Sequence, residues 1–159
     1  MIRQVESDDW ERLRDVRLRA LASDPAAFLE TVEKARSFSA ERWRERAHPS
    51  ERAATFVYER EGAFDGMVSA FVDEDSEAVN LVGMWVAPDL RGSGVARELV
   101  ERVIEWSRDH ERSRVVLTVE GGNARAARLY EKCGFVELRS PPPLPYVPPR
   151  GSRFCAYLL

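Results

Sequence analysis

At 159 residues the chain falls in the ~100–200 residue range of one compact domain and is long enough to bury a continuous core. Its 24 Lys and Arg interleave with 27 Asp and Glu for a formal charge of −3, which argues against broad nucleic-acid or membrane-surface binding, since both need clustered cations. The unspaced Cys133 and Cys155 and the isolated His48 and His110 suit neither a disulfide framework nor a metal site, and no apolar run approaches the ~18 residues of a membrane span. With an N-terminus too polar for a signal peptide, a cytoplasmic monomer or homodimer spanning 1–159 as one domain is expected.

In chain order, Ile2 to Val5 reads as a short strand, and Asp8 with Glu11 suits the cap of a helix through Ala22 that buries Trp10, Leu13, Val16 and Leu21. Asp24-Pro25 ends it. Phe28 to Ala47 reads as a less regular helical region anchored by Phe38 and Trp43. Ala54 to Arg60 and Met67 to Asp73 alternate as strands around a Glu61-Gly62 turn, and Val79 to Val86 adds a third, making an antiparallel meander. Gly83 interrupts that last strand; it marks a bulge or close backbone approach, or a packing need beside Trp85.

Gly94 to about Asp109 is strongly amphipathic, with Val95, Leu99, Val103 and Trp106 at helical spacing. Val115 to Val119 is nearly all apolar, as in strands covered on both faces, and after a helix it is expected parallel to Val79 to Val86. Asn123 to Cys133 is the next helix, with Gly134 at the left-handed C-cap position and Phe135 opening another strand. Pro141 to Pro149 cannot form a central strand and is expected to be a semi-rigid loop before Arg153 to Leu158 closes the sheet.

The most informative stretch is Val86-Ala87-Pro88-Asp89-Leu90-Arg91-Gly92-Ser93-Gly94-Val95-Ala96. Helix starts favour Asp and Glu because their free N–H groups and the dipole make that end positive. Here Arg91, Ser93 and Arg97 stand there instead, around two glycines that admit a close ligand, so the anion is expected from outside as phosphate or pyrophosphate; the alternative is a tight connection only. The stretch lacks the Lys-Ser/Thr of a P-loop, and Arg97 replaces the third glycine of a dinucleotide fingerprint.

Arg91-Gly92-Ser93-Gly94-Val95-Ala96 resembles the Gln/Arg-x-x-Gly-x-Gly/Ala acyl-CoA signature of the GNAT superfamily of N-acetyltransferases. Met84-Trp85-Val86-Ala87-Pro88 is similar to the strand that precedes it there, and Asn123-x-x-Ala126-x-x-x-Tyr130-x-x-x-Gly134-Phe135 to a second family signature. The resemblance is strongest between Leu81 and Phe135, and the proline-rich segment departs from it. It implies an α/β fold: a mixed, mostly antiparallel sheet of about six to seven strands flanked by helices, with a parallel, splayed pair formed by Val79 to Val86 and Val115 to Val119.

The resemblance also implies an acetyl-CoA-dependent N-acetyltransferase, without a metal, that acts on a primary amine of a small molecule or peptide by direct transfer in a ternary complex. A non-catalytic acyl-CoA-binding regulatory domain is the alternative. The expected cofactor contacts are Met84, Trp85, Val86, Arg91, Gly92, Ser93, Gly94, Val95, Ala96, Asn123 and Tyr130. Tyr130 would face the CoA sulfur as hydrogen-bond partner or general acid, donating in concert with bond breaking or through a lowered pKa; otherwise it is a half-buried aromatic. Glu120 is the leading general base, against a solvated strand-end carboxylate, and Glu30 the second choice in a region that lines the acceptor cleft. Asn123 orients the cofactor or a water, or serves as a helix N-cap. Leu144, Tyr146 and Val147 would wall the amine pocket, unless the proline segment is a plain linker or a swapped arm. The weakly acidic balance gives a faint preference for a cationic acceptor.

Overall fold

In the computed structural model, which describes all 159 residues, twelve elements follow one another: β1 (Ile2–Gln4), α1 (Trp10–Ser23), α2 (Val32–Arg36), α3 (Ala40–Ala47), β2 (Ala53–Arg60), β3 (Ala63–Val72), β4 (Val79–Val86), α4 (Val95–Asp109), β5 (Arg114–Val119), α5 (Ala124–Lys132), β6 (Val136–Leu138) and β7 (Arg153–Leu158). The seven strands make one sheet in the order β1-β2-β3-β4-β5-β7-β6. Every neighbouring pair is antiparallel except β4 and β5. The last strand therefore does not close the sheet: β7 inserts beside β5, and the three-residue β6 becomes the edge.

Local chemistry accounts for most boundaries. Glu61 and Gly62 both take positive φ (53° and 80°), as a two-residue type I′ hairpin between β2 and β3 requires. The start of α1 differs from the sequence expectation. Asp9, not Asp8 with Glu11, organises that end: it is buried, accepts from the Glu6 amide at 2.8 Å, and takes a fork of bonds from Arg3 at 2.8 and 2.9 Å. The irregular region between Phe28 and Ala47 resolves into α2 and α3, each capped by a hydroxyl, Thr31 and Ser39, with Trp43 buried and Phe38 edge-on to it at 5.9 Å.

Two apolar layers cover the sheet. On one face α4 lays Val95, Leu99, Val100, Val103 and Ile104 against Phe56, Val68, Leu81 and Val86, and the same core continues through Val115, Leu117 and Val119 to Tyr130 and Phe135. On the other face Leu13, Val16 and Ala20 of α1 pack on Val57, Phe64, Met67 and Trp85. The alternation of β5 turns Val116 and Thr118 to that second face, where Leu144 of the proline segment covers Val116, Ala78 and Ala156. This segment connects β6 to β7 as a loop, as its prolines dictate.

Candidate active site

Two irregularities in β4 open the sheet. Pairing with β5 is confined to Val79↔Val115 and Asn80↔Val116, so beyond Asn80 the two strands part. Against β3 the register runs Met67↔Trp85 and then Ser69↔Val82, which inserts one extra β4 residue at Gly83–Met84. Gly83 adopts φ +66°, so the glycine marks a bulge as its position suggested. The slot between the parted strands has Tyr130 on its α4 side and the α1 layer on the other.

At the mouth of the slot, Pro88–Leu90 forms one 3-10 turn, and Gly92 and Gly94 follow with φ +82° and +96°. A Cβ on either glycine would meet no protein atom within 4 Å, so open space lies over the loop. The Arg91 and Ser93 amides bond back to Pro88 and Leu90, and the Val95 amide reaches Ser93 Oγ at 3.4 Å. The amides of Gly92, Gly94, Ala96 and Arg97 have no protein acceptor. Four free donors at the start of a 15-residue helix suit a multiply charged anion such as pyrophosphate.

Arg91 points elsewhere. Its Nε donates to the Val86 carbonyl at 3.1 Å and its Nη2 to Asp24 at 3.0 Å, while the same carboxylate oxygen accepts from Trp85 Nε1 at 2.8 Å. Bonds from Ser23, Trp85 and Arg91 hold the Asp24 carboxyl below its ordinary range. Asp24 thus ties the end of α1 to the glycine loop and to β4. Arg97 pairs with Glu101 one helical turn on.

Tyr130 is 6% exposed and its hydroxyl makes no hydrogen bond within the protein. A C-terminal motif fixes it: the Phe135 amide bonds to the Tyr130 carbonyl and the Gly134 amide to Glu131, both at 3.0 Å, with Gly134 at φ +97°. The Tyr130 and Phe135 rings meet edge-on at 5.8 Å, completing a Schellman cap with its apolar contact. Burial drives the phenol well above its usual pKa, with Cys133 and Cys155 adding to the shift, so the lowered-pKa route for a tyrosine acid has no support. Burial also raises both thiols, which disfavours a covalent cysteine route.

A family model described as the Acetyltransferase (GNAT) family matches residues 10–135. The chain belongs to this family. It is 31% identical over 160 residues to a mycothiol acetyltransferase of Beutenbergia cavernae, an alignment covering 79% of this chain and 54% of that protein. It is 37% identical over 75 residues to the N-acetylaspartate synthetase of Rattus norvegicus, covering 47% of this chain and 25% of that one. The chain therefore spans about half or less of the length of these curated relatives. The PaiA N-acetyltransferase of Thermoplasma acidophilum, solved in complex with coenzyme A, shares the fold at TM-score 0.72 with 14% identity, over 100% of this chain and 98% of that one.

The remaining expected residues of this GNAT chain are spread around the slot. Met84 packs against the α4-side core, Trp85 is buried on the α1 side, Ser93 lies between the free amides of Gly92 and Gly94, and Ala96 carries a third. Asn123 caps α5 through its side chain, which accepts from the Ala126 amide at 3.0 Å. Glu120 is exposed at the end of β5. On the opposite face from Tyr130, Tyr146 shares a 2.8 Å hydroxyl contact with Thr118, and Glu30 accepts from Arg17 at 3.2 Å and from Arg46 at 3.3 Å. Sequence reasoning missed Arg17, Asp24 and Asn80. Asn80 sits where β4 and β5 part, with its Oδ1 buried and unpartnered. Gly121 was also missed: a Cβ there would lie 2.3 Å from the Gly151 carbonyl oxygen, so the turn after β5 packs directly on the chain entering β7.

Proposed function

We propose that this chain moves an acetyl group from acetyl-CoA to a primary amine of a small molecule, by direct transfer in a ternary complex. The observation that carries the reading is the slot between β4 and β5, bulged at Gly83 and headed by four unpaired amides at the start of α4. Acetyl-CoA supplies an activated thioester. The amides of Gly92, Gly94, Ala96 and Arg97 would hold its pyrophosphate with help from the helix dipole, and the free edge of β4 from Met84 to Val86 would run beside its pantetheine arm. Arg91, bound to Asp24 and Val86, shapes this loop.

In the reaction a C–N bond forms, the C–S bond breaks, and the sulfur leaves with the bonding pair. Tyr130, whose burial keeps its proton on oxygen, would donate a hydrogen bond to that sulfur as negative charge gathers there. Even an unperturbed phenol is a weaker acid than a simple thiol by about 1.5 pKa units, so full transfer from Tyr130 must accompany bond cleavage and not precede it. The amine proton passes to Glu120 or, through water, to bulk solvent. At pH 7 a lysine-type amine requires ~4.6 kcal/mol to lose its proton and a peptide-type α-amine only ~1.4 kcal/mol. A free amino acid lies above the latter because its carboxylate stabilises the ammonium, so the carboxylate base matters more for such an acceptor. The names of the two relatives support a small-molecule acceptor.

Calorimetric titration with acetyl-CoA, followed by CoA release over a panel of amines, tests the reading. Binding together with release on at least one amine is the expected result. Binding without release on any amine would favour a regulatory acyl-CoA-binding domain, and absence of binding would remove both.

A further inference from the structure

The α1 face of the slot holds an unbalanced cluster of charge. Arg17 Nε and Arg46 Nη1 converge on the single carboxylate of Glu30, leaving two guanidinium groups against one anion. The Arg17 side chain is only 16% exposed, and its plane lies over Phe28 at 4.8 Å. Its Nη1 is 3.1 Å from where a Cβ on Gly83 would stand, so the guanidinium rests on the bulge where β4 leaves β5. Neither terminal nitrogen of Arg17 has a protein acceptor, and Arg46 spends only Nη1, on Glu30, while its plane covers Trp43 at 4.9 Å.

A guanidinium fork buried beside an opening, with donors to spare, is matched by a carboxylate, which takes two parallel N–H bonds. We propose that Arg17, assisted by Arg46, binds the carboxylate of the acceptor, and that the acceptor is an amine of the amino-acid type. This rests on the acetyl-transfer reading for the identity of the slot. Burial and the nearby Arg46 charge depress the Arg17 pKa while Glu30 opposes them, as expected of a cation kept short of counter-charge. A carboxylate held at the Gly83 bulge would leave the α-amine of the same molecule a few bonds away, on the face of the slot opposite Tyr130. The same cluster repels a polyamine, so local charge reverses the faint cationic preference drawn from the net charge of −3.

The test has two arms. In the first, CoA release is followed with free amino acids, their carboxamides and spermidine; the acids should show a KM at least tenfold below the amides, and spermidine should be poor. In the second, calorimetry measures binding of N-acetyl amino acids and N-acetyl amino-acid amides to the protein without acetyl-CoA. Arg17→Gln should weaken binding of the N-acetyl acids tenfold or more, leave acetyl-CoA affinity unchanged and erase the acid-over-amide preference. Arg46→Gln, at a more exposed position, should act in the same direction by a few fold if Arg17→Gln unfolds. Equal use and equal binding of acids and amides by a protein that binds acetyl-CoA would overturn the proposal alone. Selective, Arg17-dependent binding of N-acetyl acids by a protein that does not bind acetyl-CoA would uphold the carboxylate site and overturn the acetyl-transfer reading.

Discussion

Tyr130 is a core residue by its ring, yet its hydroxyl bonds to nothing in the protein and is not among the fully enclosed unpartnered polar atoms. Its donor is therefore free for a group entering the slot, and removing the hydroxyl leaves no protein partner unsatisfied. Tyr130→Phe should therefore leave acetyl-CoA affinity and thermal stability unchanged or slightly improved while kcat falls about 10²-fold; steady-state kinetics beside a melting curve measures both, and a normal kcat would make the residue packing only. Gly94 makes the complementary point. Its φ of +96° disfavours any side chain, yet a Cβ would strike nothing, so Gly94→Val should fold with a strain of about 1–2 kcal/mol and lose more than tenfold in acetyl-CoA affinity. Calorimetry giving unchanged affinity in the folded variant would contradict the phosphate role of the loop.

Among the elements, α1 and α5 are held at their ends by different means. α5 relies on local chemistry: Asn123 caps one end, and Gly134 lets the other close around Tyr130 and Phe135. α1 depends on a long-range ion cluster in which the buried Asp9 binds Arg3 of β1 and Arg12 of its own first turn, while Glu59 of β2 binds both arginines. The Arg3 hydrogen bonds are the chief cause that lowers the Asp9 pKa far below its ordinary value. Because the folded-state pKa is depressed, this contribution is fully present above the unfolded value near ~3.9 and is lost as pH falls below it. Urea unfolding should accordingly show wild type weakening between pH 5 and pH 3 by more than Asp9→Asn does. The variant should already be about 1–3 kcal/mol less stable at pH 7. Parallel pH dependence of the two proteins would place the acid sensitivity elsewhere.

In the whole molecule, β4 and β5 unpair beyond Asn80, and the two faces of the sheet there differ in chemistry. Tyr130 and the apolar core lie on one face; Arg17, Glu30, Arg46 and the proline segment lie on the other. Leu144 is seated on Val116 and Ala156, and Tyr146 on Thr118, so the loop is anchored to β5 and β7 over the face where the acceptor would enter. Replacing residues 144–147 with Gly and Ser should raise the acceptor KM several-fold, through lost contacts and greater ordering entropy, with acetyl-CoA affinity unchanged. Kinetics varying each substrate in turn separates the two effects. A loop replacement that leaves both constants unchanged would make the segment a linker.

The sequence by itself determined what depends on neighbours along the chain. The periodicity of α4, the apolar run of β5, the Glu61-Gly62 hairpin, the Gly83 bulge and the Gly134 cap are all local patterns, and each appears where its residues placed it. The glycine loop before α4 was legible for the same reason, since free amides and left-handed glycines are properties of a short segment. Only the tertiary structure decided the insertion of β7 beside β5, because strand order is a choice among pairings that the pattern of each strand leaves equal. It alone decided that Arg91 turns to Asp24, 67 residues away in sequence, and that Arg17 and Arg46 share Glu30 at the bulge. A long cationic side chain takes its partner from whatever the packing brings within ~3 Å, and burial, which sets how strongly that partner is held, exists only once the layers have closed.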